Sequence, residues 1–297
     1  MRHSFYIVDV FTRDRLAGNQ LAVVMESDTL KDAQMQRVAS EFGFSETVFI
    51  QAPQDARHLA SLRTFTPKIE LPFAGHPTIG AAVLLGLKKR VAAIRLEQQV
   101  GLVTVVMEKI DDRTGSARFA LPRLPEKIGE PMVAATVAGP LGLEAADVGF
   151  GAFRPAVWTA GVAYTLVPLK DVETLGRIRI QRRGWRDVFV EGNGAVYAFT
   201  GGSAAQGFDY AARMFSPMTG IDEDPGTGSA AAALTGPITL YGGLGDGGHS
   251  LSIRQGVEMG RPSTIELQVR IEGGALTHAA IGGDAVILAE GKIDVPG

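Results

Sequence analysis

The sequence predicts an α+β protein of two related halves, each a mainly antiparallel sheet wrapped around a buried helix. Three observations carry this. Short runs rich in β-branched residues recur along the 297 residues, the mark of many short strands. Two segments, Ile79-Gly80-Ala81-Ala82-Val83-Leu84-Leu85 and Ser229-Ala230-Ala231-Ala232-Ala233-Leu234, are apolar or small all round, as expected of helices buried on every side. Each follows a Gly-rich turn, and the turns match: Phe65-Thr66-Pro67…Ala74-Gly75-His76-Pro77-Thr78 and Phe215-Ser216-Pro217…Asp224-Pro225-Gly226-Thr227-Gly228.

Aligned on Pro77 and Pro225, His76 falls on Asp224 and Gly80 on Gly228. The matching continues outside the turns. Gly18-Asn19-Gln20-Leu21-Ala22-Val23-Val24 reads like Gly161-Val162-Ala163-Tyr164-Thr165-Leu166-Val167, and Ser45-Glu46-Thr47-Val48-Phe49-Ile50 like Asn193-Gly194-Ala195-Val196-Tyr197-Ala198. Glu46 and His76 stand 30 residues apart, as do Gly194 and Asp224. Ordered matches at equal spacing indicate duplication, with a period too long for a solenoid. Glu46 has only Gly194 opposite it, so one half supplies a carboxylate that the other lacks.

In chain order, strands are expected at 5–10, 21–25, 47–50 and 62–65. A helix is expected over 28–42, where Leu30, Met35, Val38, Ala39 and Phe42 recur at helical spacing. The helix over 78–87 is one that Gly86 could end. Strands follow at 101–109 and 116–121, and Pro122 and Pro125 punctuate the crossing into the second half. There, 134–141 and 171–180 read as helices, with a strand region at 155–168 between them. Late strands are expected at 250–255, 263–271 and 285–290. Gly242–Gly248 has the composition of a mobile loop. The domain expectation is a first lobe over 1–120, completed by 284–297, and a second over 121–283.

Composition narrows the function. The net charge is −3, without a long run of either sign, so nucleic-acid binding is not expected. There is no signal-peptide pattern and no apolar stretch near the ~20 residues of a membrane helix, so a cytoplasmic protein without a membrane partner is expected. The chain has no cysteine, which removes disulfides, thiolate metal sites and racemisation by paired thiols. The five histidines are not spaced as a metal pair, so no metal is expected. Gly226-Thr227-Gly228-Ser229 lacks the Gly-Lys-Ser/Thr ending of a phosphate loop, and no dinucleotide fingerprint follows a strand. No cofactor is expected.

The chain resembles the phenazine-biosynthesis PhzF-like family, which shares its fold with diaminopimelate epimerase. The resemblance rests on Val8-Asp9-Val10-Phe11-Thr12…Ala17-Gly18-Asn19-Gln20-Leu21-Ala22-Val23, Phe44-Ser45-Glu46-Thr47, Phe65-Thr66-Pro67…Glu70-Leu71-Pro72-Phe73-Ala74-Gly75-His76-Pro77-Thr78, Glu223-Asp224-Pro225-Gly226-Thr227-Gly228-Ser229-Ala230 and Gln255-Gly256…Met259-Gly260-Arg261-Pro262-Ser263. It covers nearly the whole chain, and one departure is Gly226, where alanine is usual. It implies two pseudo-symmetric lobes, each a curved sheet around a central helix, with the active site between them, a homodimer and cofactor-independent isomerisation. The best-understood substrate of the family is trans-2,3-dihydro-3-hydroxyanthranilate. By motif the proton-moving glutamate corresponds to Glu46, while His76, Asp224, Gly75, Gly228 and Ser229 fall on substrate-contacting positions.

The residues have plainer readings too. Glu46 opens an apolar strand, where it is either a solvated strand-edge acid or a catalytic carboxylate walled by Phe44 and Phe49, whose burial would raise its pKa. His76 is either bonded to backbone or a partner for substrate. Asp224, before Pro225, is either a helix N-cap or an acceptor for a substrate amine or hydroxyl. Ser229 lacks a nucleophile-elbow context and is read as a binding residue. Asn19 and Ser45 complete the binding set, Lys68 and Arg154 could reach a carboxylate, and helix N-termini after Gly75 and Gly228 would hold an anion. The lead expectation is thus an isomerase of a small carboxylate-bearing metabolite, with Glu46, His76 and Asp224 as catalytic residues. The alternatives are an epimerase or dehydratase using the same site, and a non-catalytic small-molecule-binding protein.

Overall fold

The computed structural model describes residues 1–296, and residue 297, the end of the stretch expected to complete the first lobe, lies outside the described residues. The chain forms two compact units, Met1–Ala120 with Gly282–Gly297, and Leu121–Ile281.

The first unit contains β1 (Arg2–Val10), β2 (Asn19–Val24), α1 (Asp32–Phe42), β3 (Glu46–Gln51), β4 (Ala60–Phe65), β5 (Glu70–Leu71), α2 (Gly75–Lys89), β6 (Ala93–Gln98), β7 (Gly101–Lys109) and β8 (Thr114–Ala120). The second contains β9 (Glu126–Ile128), α3 (Ala134–Ala138), β10 (Ala156–Thr159), β11 (Ala163–Pro168), α4 (Val172–Arg177), α5 (Trp185–Val188), β12 (Val196–Ser203), β13 (Phe208–Ser216), β14 (Ile221–Asp224), α6 (Gly228–Tyr241), β15 (Gly247–Gln255) and β16 (Ser263–Glu272). The last strand, β17 (Ala275–Asp294), passes from the second unit into the first, where it pairs with β1.

Each unit is a curved, mainly antiparallel sheet around a central helix, and the pairings repeat. In the first, β1 is antiparallel to β2, β2 parallel to β3, β3 antiparallel to β4, β4 parallel to β6 and β6 antiparallel to β7. In the second, β10, β11, β12, β13, β15 and β16 follow the same sequence of pairings. The central helices are buried because their residues are apolar or small on every side. All of Gly75–Gly86 in α2 is buried, as is Ala230–Ile238 in α6.

Several boundaries differ from expectation for identifiable reasons. α2 starts at Gly75 and runs past Gly86 to Lys89, closed by Arg90 in the left-handed conformation. Gly86 is not a stop: a Cβ there would lie 2.1 Å from Met107 Cε, so it admits β7 against the helix. α6 runs on through Pro237 to Tyr241. α1 starts at Asp32, α3 ends at Ala138 in a tighter turn, and α4 covers only Val172–Arg177, with Asp171 as its side-chain N-cap. The Gly-rich segment is shorter than expected. Gly247 and Gly248 already pair with Ile271 and Arg270, and the Asp246 carboxylate accepts hydrogen bonds from Gly273 and Gly274 N–H.

The strand register also corrects the alignment of the halves. Thr64 pairs with Leu71, and Met214 pairs with Asp224. Asp224 therefore occupies the position of Leu71, and Glu70-Leu71-Pro72-Phe73-Ala74-Gly75-His76 superposes in register on Glu223-Asp224-Pro225-Gly226-Thr227-Gly228-Ser229. The matching proline is Pro72, not Pro77, so His76 corresponds to Ser229 rather than Asp224, and Gly75 rather than Gly80 to Gly228. Thr47 pairs with Phe65 and Val196 with Phe215, which places Ala195, not Gly194, at the position of Glu46. It too carries no carboxylate.

Candidate active-site residues in each half

In the first unit, Glu46 is the first residue of β3 and His76 the second of α2. Gly80, one turn after His76, sets their separation. A Cβ on Gly80 would stand 2.6 Å from Leu21 Cδ2 and 2.8 Å from Val10 Cγ2, so only glycine lets α2 approach β1 and β2 this closely. Leu21 is in turn the register partner of Glu46. The result places His76 Nε2 3.5 Å from Glu46 Oε2, with side chains 5% and 14% exposed. His76 Nδ1 lies 3.3 Å from the amide nitrogen of buried Asn19. Asn19 follows Gly18, whose φ of +67° and 2.3 Å approach to Val10 O exclude any side chain there. Asp9, fully buried, accepts a hydrogen bond from Leu16 N–H and ties down the loop that delivers Asn19.

Burial pushes the His76 imidazole down to about 3, against a hydrogen bond with the Gln20 backbone that acts the other way. His76 is therefore neutral near pH 7. It can donate or accept one hydrogen bond but cannot serve as a standing cation. The wall expected around Glu46 is different in fact. Side chains alternate across a strand, so Phe49 faces away from Glu46 and packs edge-on to Phe65 in the cluster of Met35, Val38 and Val295. Phe44 stacks on Phe42. Ser45, immediately before β3, is half-buried.

In the second unit, Asp224 ends β14 and is 5% exposed. It is not the N-cap of α6. That position is Thr227, whose hydroxyl donates to Asp224 Oδ2 at 2.5 Å. Gln255, buried at the end of β15, makes three hydrogen bonds to the turn and takes a fourth from Tyr197 on β12. Its Nε2 donates to Asp224 O (2.7 Å) and Thr227 Oγ1 (3.0 Å), and its Oε1 accepts from Thr227 N–H (3.1 Å) and Tyr197 Oη (3.1 Å). Burial, then the charges of Tyr164 and Asp224, raise the Tyr197 phenol well above its ordinary range, which keeps it a donor. Gly256 permits this contact: at φ +76°, a Cβ would lie 2.5 Å from Pro225 O. Ser229, second residue of α6, shares a 2.7 Å hydrogen bond with Tyr164 Oη.

Neither central helix is capped by a side chain, so their first N–H groups point out of the helix end with the positive end of its dipole. The two ends are unequal. Pro77, third in α2, has no N–H, whereas Gly228, Ser229 and Ala230 each carry one. Arg154 Nη1 donates to Gly151 O and Phe153 O, which holds the guanidinium against its own loop. Lys68 is exposed.

Sequence reasoning missed a duplicated clamp. Arg63 binds Glu70 through two hydrogen bonds, and Arg213 binds Glu223 likewise. Each guanidinium also covers the phenylalanine two residues on, Phe65 or Phe215. These clamps close the hairpins that lead into the two turns. The signal was present in Arg63-Thr64-Phe65-Thr66-Pro67…Glu70 and Arg213-Met214-Phe215-Ser216-Pro217…Glu223. The contacts of Tyr164, Tyr197 and Gln255 with this turn had no local signal, because pairing brings these residues to it from separate strands. Among the described residues, no cluster of His, Asp or Glu has the makings of a metal site, and no helix is long and apolar enough to cross a membrane.

Residues 8–291 match the model of a family described as phenazine biosynthesis-like protein. Over 98% of each chain, the sequence is 38% identical to an uncharacterized isomerase of Mesorhizobium japonicum. It is 32% identical to the trans-2,3-dihydro-3-hydroxyanthranilate isomerase of Pseudomonas fluorescens, over 98% of this chain and 99% of that one. Among solved structures, a Bacillus anthracis phenazine biosynthesis protein of the PhzF family shares the fold with a TM-score of 0.88 at 22% identity, over 99% of this chain and 100% of that one.

Proposed function

We propose that this chain, which belongs to the phenazine biosynthesis-like family, is a cofactor-independent isomerase of a small carboxylate-bearing metabolite in which Glu46 moves the proton. The observation that carries the reading is the pairing of Glu46 with a buried, neutral His76 at 3.5 Å. A shuttling carboxylate has to exist in both protonation states during one turnover. An imidazolium beside it would lock it as an anion. A neutral imidazole carries no charge that would hold the neighbouring carboxyl group in one protonation state.

Asn19 holds the far side of the His76 ring and so fixes its plane. In this reading backbone N–H groups at the start of a central helix bind the substrate carboxylate, and Asp224 takes a donor group of the substrate. Ser45 and Ser229 supply further polar contacts. Removal of a proton from one carbon and its return to another leaves the substrate's atoms unchanged, which is why no redox group is required.

The finer assignment, to a substrate like trans-2,3-dihydro-3-hydroxyanthranilate, is supported by the 32% identity to the Pseudomonas fluorescens isomerase of that name. NMR of that compound incubated with wild type and with Glu46→Gln tests it. Consumption by the wild type alone is the expected result. No consumption by folded wild type removes this substrate, and turnover by Glu46→Gln removes the role of Glu46. Deuterium from solvent entering the product would indicate a shuttle that exchanges with water between proton removal and return.

A further inference from the structure

The turn at Asp224 contains a hydrogen-bond chain whose direction is fixed at every link. The Gln255 amide has only one possible orientation. Thr227 N–H is a donor and needs Oε1 opposite it, while Asp224 C=O is an acceptor and needs Nε2. A flipped amide would set donor against donor and acceptor against acceptor. Tyr197, buried and protonated, adds its own O–H to Oε1. With Nε2 thus assigned, it donates to Thr227 Oγ1 as well. The threonine hydroxyl has a single proton, and that proton is directed onto Asp224 Oδ2.

We infer that Tyr197, Gln255 and Thr227 are positioning residues that hold Asp224 as an ionised acceptor, so that the ligand group meeting it is a hydrogen-bond donor, an ammonium, amine or hydroxyl, and not a second carboxylate. A protonated Asp224 would have to turn its proton elsewhere or reverse the Thr227 hydroxyl, which has no other acceptor in this chain of contacts. A hydrogen bond delivered to the charged form of a carboxylate favours that form. The inference rests on the reading of Asp224 as a substrate-contacting residue only in its last step, the nature of the ligand group.

Charged and titratable groups stand on the elements packed around the turn. On β13 and β14, Arg213 is committed to Glu223, the neighbour of Asp224 whose side chain points to the opposite strand face, with Glu258 at 4.0 Å from the guanidinium. On β11 and β12, Tyr164 and Tyr197 are the titratable groups coupled to the turn. The start of α6 adds a positive dipole end that also favours the anion.

The first unit shows what the chain would be without this purpose. The parallel pairs Ser61 with Glu97 and Ala211 with Arg254 place Gln98 and Gln255 in equivalent positions. Gln98 Nε2 also donates to a threonine hydroxyl, that of Thr78, at 3.0 Å. Thr78 directs its proton onto a backbone carbonyl, Ala74 O, at 2.8 Å. The threonines themselves stand at different positions, Thr78 matching Ala231 and Thr227 matching Ala74, so the equivalent glutamines reach a hydroxyl that ends on backbone in one unit and on a carboxylate in the other.

The experiment is an NMR titration of the Asp224 side-chain carboxyl in the full chain, which reads its protonation whether or not any compound is turned over. Thr227→Val removes the last donor and should raise the Asp224 midpoint by about one pH unit, a tenfold change in proton affinity. Thr227→Ser should restore the wild-type midpoint. Gln255→Glu, an acceptor where two donors stood, should turn the Thr227 proton away and raise the midpoint likewise. A Thr227→Val midpoint equal to that of folded wild type would overturn the inference. Binding of a probe pair under the same conditions, an amino acid and its deaminated acid, reads the ligand step. A wild-type preference for the amine that shrinks in Thr227→Val is expected, and equal binding of both by wild type would overturn that step while leaving the titration result to stand.

Discussion

The two units have the same strand order, the same register and the same clamps, yet their polar groups differ at each position that bears on chemistry. At the strand start the first unit has Glu46 and the second Ala195. Before the helix the first has Leu71 and the second Asp224. At the second helical residue the first has His76 and the second Ser229. Duplication preserved the scaffold and divided the titratable groups. The first unit retains a carboxylate beside a neutral imidazole, a pair suited to moving a proton. The second retains a carboxylate fixed by donors, a group suited to holding a ligand.

The largest effect expected from this division is that of Glu46→Gln, which should lower turnover by about 10³-fold, within the usual contribution of general acid–base catalysis, while leaving the melting temperature near that of wild type. Asp224→Asn should cost less in kcat and more in KM. Equal losses of kcat from both substitutions would break the functional division.

The clamps sharpen the comparison at the level of stability. Arg213 is 6% exposed and its Glu223 partner 18%, whereas Arg63 and Glu70 are both 23% exposed. Truncating one partner of a buried pair leaves an uncompensated charge. Arg213→Met should therefore cost about 3–5 kcal/mol, and Arg63→Met, in a wetter site, nearer ~1 kcal/mol. Urea denaturation of the two variants measures this, and a reversed order would show that the exposed pair carries the more important tether.

His76 and Ser229 differ in their response to acid. His76 is held neutral down to about pH 3 in the folded protein, against an unfolded value of ~6.5. The unfolded chain takes up this proton first, so folding stability is full above about pH 6.5 and falls as pH drops toward 3. His76→Gln should flatten that part of the stability profile, and Ser229→Ala should leave its shape unchanged. A His76→Gln profile parallel to wild type would mean that the folded imidazole titrates normally.

The smallest effect concerns the Ser229–Tyr164 hydrogen bond. Tyr164→Phe should cost on the order of 1 kcal/mol without altering the exposure-independent features of the first unit, and thermal melting tests it.

Much of the first unit's candidate site was legible in sequence, because its residues belong to short motifs. Glu46 opens a strand after Ser45, and His76 follows the Gly75 that starts a helix. The second unit was less legible. Asp224, Thr227 and Ser229 share one turn, but Gln255, Tyr197 and Tyr164 come from three further strands. The alignment of the halves illustrates the limit. Two prolines in the first turn, Pro72 and Pro77, both offered a match for Pro225, and the composition of the turn favoured the wrong one. Strand pairing decided the matter through Met214 with Asp224 and Thr64 with Leu71.

The sequence by itself determined the α+β class, the duplication, the two buried helices and the identity of Glu46, His76 and Asp224 as the groups to watch. The class, the duplication and the helices follow from periodicity, small-residue runs and turn chemistry, which act over a few residues, and the choice of Glu46 follows from the motifs that carry the family resemblance. The register of the halves, the neutral state of His76 and the one-way chain onto Asp224 were decided by tertiary structure alone. Each depends on which atoms meet across strands, and on how completely water is removed from them.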